Sequence, residues 1–147
     1  MKAGTWRKQS MRRTRTWLPI ALLVAVVLLA AGCSQLGVAS QESNGYTEIS
    51  VEQLAAMLEA KDFTLVNVHV PYEGKIPETD LFIRFDEIAE HTDELPGKDD
   101  PIVVYCRTGP MSTTAAETLV SLGYTNVLEV DGGMRAWRAA GYELLER

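Results

Sequence analysis

Cysteine is nearly absent from this sequence: 147 residues hold two, Cys33 and Cys106. Exported domains commonly pair cysteines as covalent staples, and a chain with so few has little material for that. Long apolar runs are missing too. The longest, Leu18 to Ala31, has fourteen residues, short of the roughly 20 that a membrane-spanning helix needs. Charge is absent in a lopsided way. All 20 acids lie beyond residue 33, where only 8 of the 14 basic residues remain, giving that part a net charge of −12. Such a chain has no basic face for nucleic acid or anionic lipid. Internal repeats are lacking as well.

The basic residues missing from the body of the chain are concentrated at its start. Lys2, Arg7, Lys8, Arg12, Arg13 and Arg15 precede the apolar run, the order of an export signal. An uncleaved anchor that borrows Trp17 and residues beyond Cys33 is the other reading. The segment "LLAAGCS" resembles a bacterial lipobox, with Ala31 and Gly32 before Cys33, although Ala30 stands where that pattern prefers leucine. The resemblance implies that residues 1–32 are a lipoprotein-type signal peptide. Cys33 would then be the lipidated N-terminus, holding the domain at the bacterial cell membrane outside the cytoplasm. The paired arginines of "MRRTRTW" are also similar to a twin-arginine signal, but a generic basic region accounts for them.

Residues 34–45, "SQLGVASQESNG", are small, polar and unpatterned. They read as a flexible tether spanning roughly 20 Å. The lipidated cysteine and tether together occupy 33–46, which leaves 47–147 as one domain of ordinary minimal size. With Cys33 lipidated, Cys106 is the remaining thiol.

Within the domain, strand and helix patterns alternate. "YTEI" is expected as a strand, followed by a helix in "VEQLAAMLEA" with Ser50 and Gln53 as its capping box. "FTLVNV" and "LFIRF" read as strands and "DEIAEHTDEL" as a helix. "PIVVYC" is apolar throughout, as a central parallel strand covered on both faces must be. A helix ending at Gly123, the strand "TNVLEV" and a last helix closed by Gly141 complete the order. Alternation of this kind predicts an α/β fold with an open, mostly parallel sheet flanked by helices on both faces. Ligands of such sheets sit beyond the carboxyl ends of the strands.

Cys106 stands at that edge, between a buried strand and a helix N-terminus. Unpaired backbone N–H groups converge there, and the helix dipole adds roughly half a positive charge. Both favour a thiolate, the nucleophilic form of the side chain, and Arg107 beside it is expected to add to the effect. An inert packed cysteine is the plain alternative, but Arg107, Thr108 and Gly109 are poor core material.

Three segments in order then resemble one family. "VVYCRTGPMS" is similar to the active-site loop of rhodanese-like sulfurtransferases, "DGGMRAWRAAGYEL" to the end of that domain, and "LVNVHVPYE" to its strand ending in Asp-Val-Arg. The resemblance covers residues 47–145. It implies a catalytic Cys106 that carries a sulfane sulfur as a persulfide. Arg107, Thr108, Gly109, Met111 and Ser112 would form the anion cradle, and no metal or organic cofactor is needed. The implied partners are a small sulfur donor, or a protein persulfide or thiol acceptor. A cysteine phosphatase or arsenate reductase needs arginine six positions after the cysteine, and Ser112 occupies that place.

Three departures bear on the substrate. Met111 replaces a common basic residue, so the rim is expected to be apolar. Asn67 and His69 stand where the family has Asp and Arg, and "EGKIPETD" is shorter than the usual loop. Asn67 can hydrogen-bond the active loop without supplying charge. His69 either replaces the arginine, charged beside a thiolate, or is a surface histidine that ends the strand. Two function classes stay open: an envelope-anchored sulfurtransferase or persulfide carrier, and a non-catalytic binding module with the same fold.

Overall fold

The structure is a computed structural model and describes residues 41–146. The expected signal peptide (1–32), Cys33 and residues 34–40 of the expected tether lie outside the described residues.

Among the described residues six strands form one sheet in the order β1-β2-β6-β5-β3-β4. They are β1 (Gln41–Ser43), β2 (Tyr46–Ile49), β3 (Thr64–Asn67), β4 (Leu81–Phe82), β5 (Ile102–Tyr105) and β6 (Val127–Val130). Among the described strand pairs of this sheet only β1–β2 is antiparallel. Among the described residues three helices, α1 (Val51–Leu58), α2 (Pro110–Ser121) and α3 (Gly133–Ala139), cover the sheet. The expected α/β fold with a mostly parallel sheet is the one observed.

β5 lies at the centre because its side chains are apolar toward both faces. Ile102 and Val104 pack with Ala115, Ala116 and Leu119 of α2. Val103 and Tyr105 pack with Leu54 of α1 and Met134 and Trp137 of α3. A strand covered on both sides has no use for alternation. The Ser50 box caps α1 as expected, with both reciprocal hydrogen bonds formed.

Two expectations differ from the structure. Residues 41–43, read as tether, form β1, because Asn44-Gly45 makes a tight hairpin turn with φ of 50° and 89°. Asn-Gly is the sequence best suited to two consecutive positive φ values. The segment 86–95, read as a helix, keeps only the 3₁₀ turn Ile88–Glu90. Ile88 and Leu95 are its buried apolar anchors, too few for the stripe that holds a surface helix down. Arg84 instead binds Asp86 and Glu87, and His91 binds Glu94.

Candidate active site

Cys106 follows the last residue of β5 and is 1% exposed. Its Sγ accepts a hydrogen bond from the Gly109 amide at 3.1 Å and lies 3.3 Å from Ser112 Oγ. The expected convergence of backbone N–H groups on the sulfur therefore narrows to one amide, with one hydroxyl beside it. Gly109, with φ of 113°, is what turns the chain back so that its N–H meets the sulfur. α2 then begins with Pro110 at its first position, where a missing N–H costs nothing.

A second glycine fixes the loop from the far side. Gly133 opens α3 with φ of 52°, and a Cβ there would stand 2.2 Å from the Cys106 carbonyl oxygen. That closeness lets α3 hold the loop with its first free amides. Met134 N–H donates to the Cys106 carbonyl at 2.9 Å and Arg135 N–H to the Arg107 carbonyl at 3.0 Å. Donors left unpaired at a helix start are used here to brace the nucleophile's backbone.

In front of the sulfur is a cleft of about 300 Å³, lined by Cys106, Arg107, Thr108, Met111, His69 and Arg135, with Pro110 at its edge. A larger cavity of about 350 Å³, lined by residues such as Gly45, Thr47 and Asn126, holds no nucleophile or charged group. Volume alone does not find the chemistry.

The expected site residues behave unequally. Thr108 and Met111 line the cleft, while Ser112 is fully buried beneath the sulfur. Arg107 does not turn to the thiol. Its guanidinium is exposed and pairs with Glu73 at 3.3 Å, so its charge is already answered. His69 is no surface residue: it is 6% exposed, and neither ring nitrogen has a hydrogen-bond partner. Nε2 is 3.4 Å from a Glu73 oxygen, an ion-pair distance without hydrogen-bond geometry. A buried ring with unused polar atoms at a cleft is prepared to meet a ligand. Asn67 does not reach the active loop. Its side chain accepts from His69 N–H and donates to the Gly74 carbonyl, both at 3.0 Å, which sets the bend that carries His69.

Sequence reasoning missed Arg135, Glu73 and Glu129. Arg135 lines the cleft, and its guanidinium forms no ion pair among the described residues, so the rim is not simply apolar. Its signal was its position after the glycine pair, at a helix start facing the same sheet edge. Glu129 in "VLEV" is 2% exposed, and Ser112 Oγ donates to its Oε1 at 2.5 Å. An acid within a buried parallel strand was the anomaly to notice. Among the described residues no cluster of His, Cys, Asp and Glu could hold a metal ion.

Comparison with known proteins supports the same reading. A sulfurtransferase of Allochromatium vinosum is 35% identical over 102 residues, covering 67% of this chain and 94% of its own. Thiosulfate sulfurtransferase GlpE of Tolumonas auensis is 32% identical over 95 residues, covering 63% of this chain and 89% of its own. The crystal structure of a rhodanese-related protein from Thermoplasma volcanium matches with a TM-score of 0.59 and 28% identity. It covers 68% of this chain and 98% of that one. The model of the rhodanese-like domain matches residues 50–140, and with the cysteine loop and glycine pair where they are, the chain belongs to the rhodanese-like domain family.

Proposed function

We propose that this chain is a sulfurtransferase that moves a sulfane sulfur through a persulfide on Cys106, working as a lipid-anchored domain outside the cytoplasm. The observation that carries the chemistry is the hydrogen bond from Gly109 N–H to Sγ, with Ser112 Oγ 3.3 Å from the same sulfur, at the head of an open cleft. Donors aimed at a sulfur stabilise negative charge on it, before and after it takes up a second sulfur. The relatives named above as sulfurtransferases point the same way.

Two displacements make the cycle. Cys106 thiolate attacks the outer sulfur of a donor; the new S–S bond forms as the donor's bond to that sulfur breaks, and the bonding pair leaves with the donor remainder. A nucleophilic acceptor then attacks the outer sulfur of the persulfide, and Cys106 leaves as thiolate. No net oxidation of the protein occurs. Arg135 and His69 would hold the charged end of an anionic donor such as thiosulfate, the role lost at Met111.

The anchor rests on the sequence of the first 33 residues alone. Incubating the full-length chain with thiosulfate should add one sulfur by intact mass, removable by cyanide, and Cys106→Ser should abolish the adduct. A thiol that reacts only in denaturant would replace the enzyme with a binding module. Cys33→Ser should release or misprocess the protein, whereas a membrane-bound chain that keeps residues 1–32 and bears no lipid would exclude the anchor.

A further inference from the structure

Glu129 occupies a strand position where burial normally demands an apolar side chain. It lies in β6 opposite Val104 of β5 and Glu48 of β2, on the face that α2 covers. Burial, helped by Glu48 and Asp131, raises its pKa to about 7, against the opposing pull of the Ser112 hydrogen bond. These two acids act on it directly, Cys106 is reached through Ser112, and the phenols of Tyr46 and Tyr124 lie in the buried cluster on the same face. β5 presents no charge, and the one charged residue of α2, Glu117, is exposed and accepts a hydrogen bond from Asn44. No cationic residue stands on β2, β5, β6 or α2.

Ser112 Oγ is within reach of three acceptors: Glu129 Oε1 at 2.5 Å, the Gly109 carbonyl at 2.8 Å and Cys106 Sγ at 3.3 Å. A hydroxyl has one proton and two lone pairs. When Glu129 is ionised, the short contact claims that proton, and Ser112 can serve the sulfur only as an acceptor, which suits a thiol. When Glu129 is protonated, it donates to Ser112 Oγ and frees the hydroxyl proton for Sγ, which suits a thiolate. Negative charge at both ends of this line is disfavoured, because Glu129 is buried with no cation on the elements around it and stands one hydroxyl away from the sulfur. The line therefore holds one negative charge, at the carboxylate or at the sulfur.

We propose that Glu129 is a positioning residue for sulfur transfer, storing the proton of Cys106 and exchanging it through Ser112 Oγ while the sulfur carries charge. The exchange is balanced within the protein. The Cys106 S–H bond breaks as an Oγ–H bond forms, while the former Oγ–H bond breaks as a Glu129 O–H bond forms. The pair from the S–H bond stays on sulfur and the negative charge moves there from the carboxylate. The thiolate keeps that charge through both displacements, and the proton returns when the thiol is restored. The inference rests on the persulfide reading of Cys106 and adds to it the fate of the proton.

Two strongly interacting groups lose their protons in two macroscopic steps that belong to the pair. The test is the rate of Cys106 alkylation by iodoacetamide from pH 5 to 10 in the full-length protein, with thermal melts to confirm folding and intact mass after thiosulfate. The expected wild-type profile has two steps. Glu129→Gln keeps an acceptor for Ser112 but cannot take a proton. It is expected to give one step displaced to lower pH, with alkylation about tenfold faster near pH 7, as a displacement of about one unit implies. Ser112→Ala, which cuts the line and leaves the acid, should likewise give one step and serves if the glutamine variant does not fold. Superimposable profiles in wild type and folded variants would overturn the inference while sulfur uptake by wild type left the persulfide reading standing. No sulfur uptake by wild type would overturn both.

Discussion

Tyr105 and Cys106 are neighbours in the chain, yet they end β5 in two different kinds of polar setting. Tyr105 turns to the α1 and α3 face, where its hydroxyl accepts from Ile76 N–H at 3.0 Å and meets Thr79 Oγ1 at 2.7 Å. Cys106 turns to the α2 face and meets Ser112, which leads to Glu129. Desolvation is the largest cause acting on both acids, raising the phenol to about 12 and the carboxyl to about 7. The same physical cause thus has opposite consequences. It removes the phenol from any ordinary titration and leaves a brace, while it brings the carboxyl into the range where a thiol exchanges its proton.

The largest expected effect comes from the seam that both faces share. In Gly133→Ala the new methyl meets the Cys106 carbonyl at 2.2 Å, and that neighbour is backbone and cannot step aside. The residue must also keep a left-handed φ. Backbone strain and forced repacking together should cost about 4 kcal/mol. Chemical denaturation should show the loss, and any protein that still folds should alkylate Cys106 with altered rate, because Met134 and Arg135 no longer brace the loop. A stability within 1 kcal/mol of wild type would mean that α3 is not docked this closely.

Next in size is a pH-dependent effect confined to the α2 face. A carboxyl whose pKa rises from 4.5 unfolded to about 7 folded stabilises the fold only while protonated. Its contribution is fully present below pH 4.5 and is lost as pH rises through about 7. Glu129→Gln escapes that loss. Between pH 4.5 and 8 its stability should gain on wild type by about 3 kcal/mol, or about 10 °C in melting temperature. Melting both proteins across that range isolates the difference, because the other acids are common to both. A constant offset at every pH would show that Glu129 is not buried as an acid.

On the other face, Tyr105→Phe should have a smaller effect with no pH dependence below 10. It leaves the buried Ile76 N–H without its acceptor and Thr79 without a partner hydroxyl, a cost of about 2 kcal/mol. Sulfur uptake per folded molecule should not change. A loss of uptake at unchanged stability would mean that the two faces are coupled, which their separate hydrogen bonds give no reason to expect.

The sequence was legible where one physical demand acted alone. "PIVVYC" declared a central strand because both of its faces need apolar side chains, and Ser50 with Gln53 declared a cap because the pairing is local. "DEIAEHTDEL" misled because its acids and alanine suit a helix, while the decision lay with the few apolar contacts available to Ile88 and Leu95. At the site, the cysteine loop was readable as one contiguous stretch. Arg107 was misread because its partner, Glu73, lies 34 residues away. Glu129 was overlooked for the same reason, since its meaning depends on Ser112 of a different element, 17 residues earlier.

The smallest expected effect concerns the mouth of the cleft, which both faces help to build. Arg107 is neutralised by Glu73, and Met111 brings no charge, so the free guanidinium of Arg135 is the cation available to an anionic donor among the described lining residues. It is exposed, and an exposed charge contact is worth on the order of 0.5–1 kcal/mol. Arg135→Ala should therefore raise KM for thiosulfate about threefold, with little change for an uncharged or protein-bound persulfide donor. Met111→Arg, placed in the same cleft, should restore the loss in the double variant, because the donor needs a cation there and not one particular side chain. Both differences should shrink as salt is added, since ions screen contacts at the surface far more than contacts within the fold. Equal changes for charged and uncharged donors, unaffected by salt, would remove Arg135 from recognition and leave its backbone N–H on the Arg107 carbonyl as its contribution to the site.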